Sequence, residues 1–138
     1  MRAILLAVCF LSSPSYAASY GTYALTSPVT IDGDTIRADV MIWPYITAGV
    51  AIRVIGVDTP EMKASSLCER ALAIKARAFT DDWIILNQPI TINFIKPDKY
   101  PGRVDAVVSG KSGLLSGALI SAGIARPYSG GARQPWCQ

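Results

Sequence analysis

Histidine is missing from all 138 residues. Its absence excludes the Ser-His and Cys-His triads, histidine-based nucleases, and the usual histidine-ligated zinc and non-haem iron sites. Cysteine is scarce, at positions 9, 68 and 137 only. The N-terminal apolar run, residues 3–11, is too short to span a bilayer. Low-complexity tracts, charge blocks and internal repeats are also lacking. The net charge of +3 is modest and favours polyanions only weakly. A nucleic-acid partner would therefore need positive charge concentrated at one place. What the chain does have is 51% hydrophobic residues, enough for one compact domain with a real core and too few residues for two.

Met1-Arg2, the apolar run and then Ser12-Ser13-Pro14-Ser15-Tyr16-Ala17 form the three-part pattern of a signal peptide. Residues 1–17 are expected to be removed, leaving 18–138 as a single domain that is secreted or periplasmic and has no stable membrane association. The competing readings are a first strand or a membrane anchor. Cleavage discards Cys9 and leaves Cys68 and Cys137 in an oxidising compartment, where an even pair invites a disulfide. Such a bridge would stabilise the second half of the chain by about 3–4 kcal/mol through loop entropy. The alternative is a buried free Cys68 and a dangling Cys137.

β-branched or alternating runs at 20–25, 29–31, 35–41, 50–57, 91–95 and 104–108, bounded by Gly, Pro, Asp or Asn, predict five strands once the first two runs are joined. Residues 43–49 read as the hairpin connection between the second and third. Between the third and fourth, Leu72, Ala76, Phe79, Trp83 and Leu86 recur at helical spacing, predicting an amphipathic helix over 66–86 that ends at Asn87-Gln88-Pro89. A shorter helix is expected over 113–122, with Gly123 as its C-terminal cap. The Gly- and Pro-rich tail from 126 onward has no period. Three strands, a helix, two strands and a helix suit a small OB-type five-stranded barrel with helices packed on it, an α+β arrangement.

Two acidic turns carry the chemistry: Ile31-Asp32-Gly33-Asp34-Thr35 and Val57-Asp58-Thr59-Pro60-Glu61. Asp34 at a strand start and Asp58 at a strand end can converge at one barrel rim, and two adjacent carboxylates repel unless a cation lies between them. Each turn by itself is also a common structural motif. Arg53 interrupts the apolar strand around Ile52 and Val54, so it should face away from the core and find a phosphate or an acidic partner such as Asp32 or Glu61. Glu61, three residues after Asp58, is positioned to act as general base toward a metal-bound water. Lys99, Tyr100 and Arg103, in the stretch 96–103, would make a nucleotide clamp or an ordinary hairpin loop.

The ordered motifs IDGDT at 31–35, IRVIGVDTPE at 52–61, and DKY followed by GR at 98–103 make the chain resemble the staphylococcal nuclease (thermonuclease) family, over roughly residues 27–128. The resemblance implies an OB-fold endonuclease that uses calcium to hydrolyse DNA and RNA with little sequence preference, acting as a monomer on single-stranded or locally open substrate. Asp34 and Asp58 would bind the metal through carboxylates and Thr59 through its backbone carbonyl. Glu61 would activate water, Arg53 and Arg103 would bind phosphate, and Lys99, Tyr100 and Tyr128 would line the nucleotide pocket. The ligand types alone allow magnesium as well as calcium.

Two departures from the family pattern stand out. Pro101 adds a residue between Tyr100 and Gly102, which could shift Arg103. The chain also replaces the family's third long helix with Gly130-Gly131-Ala132-Arg133-Gln134-Pro135-Trp136-Cys137, where a disulfide packed with Trp136 could take over the clasping role. The competing functions are a non-catalytic nucleic-acid or protein-binding barrel and a disulfide-stapled envelope protein. Retention of the acidic cluster argues against a phosphate-binding module, because without a metal it would repel the ligand.

Overall fold

The computed structural model describes residues 20–137, so the expected signal peptide lies outside the described residues. Strands β1 (Tyr23–Asp32), β2 (Thr35–Trp43) and β3 (Ile46–Val54) form an antiparallel meander. A two-residue β4 (Val57–Asp58) leads to the helix α1 (Leu67–Leu86), then β5 (Thr91–Pro97) and β6 (Arg103–Gly110). The short β7 (Gly113–Leu114), α2 (Leu115–Ser121) and β8 (Arg126–Pro127) complete the chain's elements. β5 pairs with both β1 and β6, and a parallel β3–β6 pairing closes the sheet into the expected five-stranded barrel.

Alternation fills the barrel. Ile36, Ala38 and Val40 of β2, Ile52 and Val54 of β3, Ile92 of β5, and Ala106 and Val108 of β6 are buried on its inner face. Arg53, between two inward residues, faces outward as expected. Ser66 caps α1 by accepting the Glu69 amide proton at 3.4 Å, and the helix buries Ala73, Ala76, Thr80, Trp83 and Ile84. Gly123 follows α2 in the left-handed region, at φ +69°, where the Cβ of another residue would be strained.

Two details differ from the expectations. The hairpin connection is only Pro44-Tyr45: β2 runs through Trp43 and β3 already starts at Ile46. Leu86 lies on the solvent side of α1, because Asn87 takes the inward position at the helix end. Its side-chain Nδ2 donates to Trp83 O at 2.9 Å, and its side-chain Oδ1 accepts from Ser112 N at 2.9 Å.

One close approach fixes where the first acidic turn sits. A β-carbon on Gly33 would lie 2.7 Å from Ala76 Cβ and 3.0 Å from the Thr59 side chain. Thr80 Oγ1 donates to Gly33 O at 2.6 Å. The Asp32-Gly33-Asp34 turn is thus pressed onto α1 and against the second acidic turn.

Candidate functional site

β1 and β2 turn at Gly33, and β3 ends one short turn before β4, so Asp34 and Asp58 arrive at the same barrel rim. Both are buried, at 3% and 2% exposure. The two turns are joined directly, since Asp34 Oδ2 accepts the Thr59 amide proton at 3.3 Å, while Oδ1 accepts from Thr35 Oγ1 at 3.1 Å. Arg53 reaches over from β3, with Nη2 3.3 Å from Asp34 Oδ2 and 4.0 Å from Asp58 Oδ1. It therefore pairs with Asp34, not with Asp32 or Glu61. Asp32 instead accepts from Met62 N at 3.1 Å and holds the second turn in place.

Burial pushes the pKa of Asp34 above the ordinary carboxylate value. Arg53 and the hydrogen bonds from Thr35 and Thr59 pull it back, and the nearby charge of Asp58 adds to the rise. Burial and the neighbouring Asp58 charge thus oppose ionisation of Asp34, and Arg53 with the two hydrogen bonds opposes them.

Asp58 is approached by two arginines that sequence reasoning left inside an unassigned tail. Arg126 lies opposite it in the β4–β8 pair and donates from Nη2 to Oδ2 at 3.3 Å. Arg133 donates from Nε to Asp58 Oδ1 at 2.6 Å, from Nη2 to Thr59 O at 2.7 Å, and from Nη1 to Glu61 Oε1. Glu61 itself is half-exposed at the mouth of the site. The only sequence signal for these contacts was the presence of two arginines in a tail that ends in a pairable cysteine.

Cys68 and Cys137 are bridged, with 6.3 Å between their α-carbons, so the tail is tied to the first turn of α1. Arg126 stacks on Trp136, 3.8 Å from the ring centre, and donates to Gln134 O at 2.7 Å and Pro135 O at 3.3 Å.

A cleft of about 870 Å³ opens beside the rim, where Arg53, Lys63, Lys99, Arg103 and Arg133 outnumber Glu61, Asp98 and Asp105, with Tyr100 and Tyr128 among the other lining residues. The positive charge is therefore local, as a polyanion partner would require. The extra Pro101 does not displace Arg103 from this cleft. It lies in a turn closed by Arg103 N donating to Tyr100 O at 3.2 Å, with Gly102 at φ +79°, and Arg103 keeps its register opposite Ala51. The Arg103 guanidinium, however, is engaged by Asp98: Nε donates to Oδ2 at 2.8 Å and Nη2 to Oδ1 at 3.2 Å. It also stacks on Tyr100, 4.7 Å from the ring centre, with Lys99 Nζ 5.1 Å from the same ring. Tyr128 sits under Arg53, 5.9 Å from its guanidinium carbon, and is fixed by its amide donating to Gly56 O at 3.0 Å.

Among the described residues no three His, Cys, Asp or Glu side chains gather as a metal-binding group. The oxygen donors that do converge are the Asp34 and Asp58 carboxylates and the Thr59 carbonyl. Their hardness and charge fit a divalent cation such as calcium or magnesium.

No curated protein matches the chain. The staphylococcal nuclease homologue family matches residues 51–135, from β3 through the second acidic turn, α1 and the cleft loop to the tail arginines. That match spans more than half of the sequence and lies on a closed barrel of the expected kind, so the chain belongs to the staphylococcal nuclease family.

Proposed function

We propose that this protein is a secreted or periplasmic, metal-dependent endonuclease that hydrolyses phosphodiester bonds of DNA and RNA with little sequence preference. Calcium is the preferred ion. The observation that carries the reading is the meeting of two buried carboxylates, Asp34 and Asp58, beside Arg53 at the mouth of a cationic cleft. A structural barrel gains nothing from burying two like charges together, whereas a phosphodiesterase needs this arrangement to gather a cation and a phosphate at one point.

Asp34, Asp58 and the Thr59 carbonyl would hold the ion, which when bound supplies positive charge against a phosphate oxygen. Arg53, with its planar fork of donors, binds a second phosphate oxygen and stabilises the charge that grows there as the phosphorus becomes five-coordinate. Glu61 accepts a proton from the attacking water as the new P–O bond forms and the bond from phosphorus to the leaving sugar oxygen breaks, that oxygen taking up a proton from solvent to leave as a hydroxyl. Arg103, once it exchanges Asp98 for substrate, binds phosphate from the cleft side. Lys99, Tyr100 and Tyr128 offer a charged and aromatic bed for a nucleotide of single-stranded or locally open substrate.

The reading is tested by digesting single-stranded DNA with the purified, oxidised protein lacking residues 1–17. Cleavage with added calcium that vanishes with chelator is the expected result. Folded protein that leaves DNA intact with calcium or magnesium would refute it.

A further inference from the structure

The Arg133 guanidinium spans three groups that the proposed function uses: the Asp58 carboxylate, the Thr59 carbonyl and the Glu61 carboxylate. Two of these supply the oxygens assigned to the metal and the third is the general base. The guanidinium is not on a free arm. On one side it is preceded by β8, paired to β4, and by Tyr128, bonded to Gly56 O. On the other it is followed by Gln134 and Pro135, whose carbonyls accept from Arg126, and by the Cys68–Cys137 bridge.

Resting on the metal-dependent reading above, we propose that Arg133 is a tethered internal cation that competes with the divalent metal for Asp58 and Thr59, and that the disulfide-fastened tail sets how much metal the site needs. One fixed positive charge there neutralises part of the carboxylate pair when the ion is absent. A divalent ion on Asp58 Oδ1 and Thr59 O would sit beside the Arg133 guanidinium on the same two oxygens, and the repulsion between the two cations drives Arg133 to withdraw as the ion binds. Withdrawal also releases Glu61, which becomes free to accept a proton only when the metal is in place. A tethered competitor acts intramolecularly and is never diluted away, so it raises the metal concentration at which the site fills. Of these three groups Arg126 touches only Asp58, at Oδ2, and its other contacts are to Gln134, Pro135 and Trp136, so it leaves Thr59 and Glu61 untouched and can stay in place as the metal enters.

The test is calcium titration by calorimetry, without nucleic acid, of the oxidised wild type, Arg133→Ala and Arg133→Gln, each checked for native circular dichroism. Gln keeps much of the side-chain volume, should Ala fail to fold. The expected result is calcium binding about ten-fold tighter or more in a folded variant, the worth of a charge-assisted contact removed from competition. Equal or weaker affinity in the variants overturns the proposal and makes Arg133 a structural or phosphate-binding residue. Calcium binding to none of the three proteins would remove the calcium reading itself, and this competition with it.

Discussion

Gly33 lies where a β-carbon would stand 2.7 Å from the Ala76 methyl. Gly33→Ala must therefore push the first acidic turn off α1. It is expected to destabilise the fold by about 1–3 kcal/mol, in line with overpacking of a closed contact, and to disturb the Asp34–Thr59 hydrogen bond. Thermal unfolding reads the first effect, and a midpoint equal to that of the wild type would show that the helix yields without strain.

Glu61→Gln keeps the shape of the side chain and removes its basicity. Cleavage is expected to fall by roughly 10²–10⁴-fold, with single-stranded DNA binding retained when followed by fluorescence anisotropy. A variant that cleaves as fast as the wild type would take the proton-accepting role away from Glu61.

The bridge between Cys68 and Cys137 spans 69 positions. Replacing both with serine is expected to lower stability by about 4 kcal/mol on loop-closure grounds. Urea unfolding of the double variant beside the oxidised wild type measures it. Coincident midpoints would mean that the tail is held by its hydrogen bonds and the Arg126–Trp136 stack alone.

Asp105 lies opposite Arg53 in the closing strand pair. Burial raises its pKa above the usual carboxylate value, and the adjacent Asp98 charge pushes in the same direction. An acid with a raised folded-state pKa favours folding below its unfolded pKa, near 4, and that advantage is lost as pH rises through the folded value. Asp105→Asn should therefore raise the melting temperature at pH 7 relative to wild type, with the gain shrinking toward pH 3.5. A gain that grows in acid would reverse the sign and refute the account.

Much of this architecture was legible because it rests on local rules. β-branched alternation marked the five barrel strands, and the position of Arg53 between Ile52 and Val54 gave its outward direction without any structure. The two acidic turns announced themselves through Asp-Gly and Asp-Thr-Pro. The hairpin is shorter than the sequence suggests because Ala48 and Gly49 disfavour strand and interrupt any alternation after Thr47, and only their pairing with β2 makes them part of one. Leu86 was misplaced because helical spacing continues the apolar stripe, while the real stripe ends in a polar Asn87 that bonds to the chain on both sides. Arg126 and Arg133 escaped notice for a different reason. Their partner Asp58 lies 68 and 75 positions away, and no local pattern encodes such a meeting.

The strand pair that closes the barrel joins residues 51–54 to 103–106, and the second acidic turn finds its own strand partner only in β8. A ribosome-bound chain that already carries both aspartate motifs therefore has the ligands but neither the cleft nor the frame that aims them. Contacts of such wide sequence separation form late, after the intervening chain has been made. A fragment that stops short of Arg126 would thus carry both aspartate motifs without the strand that seats Asp58.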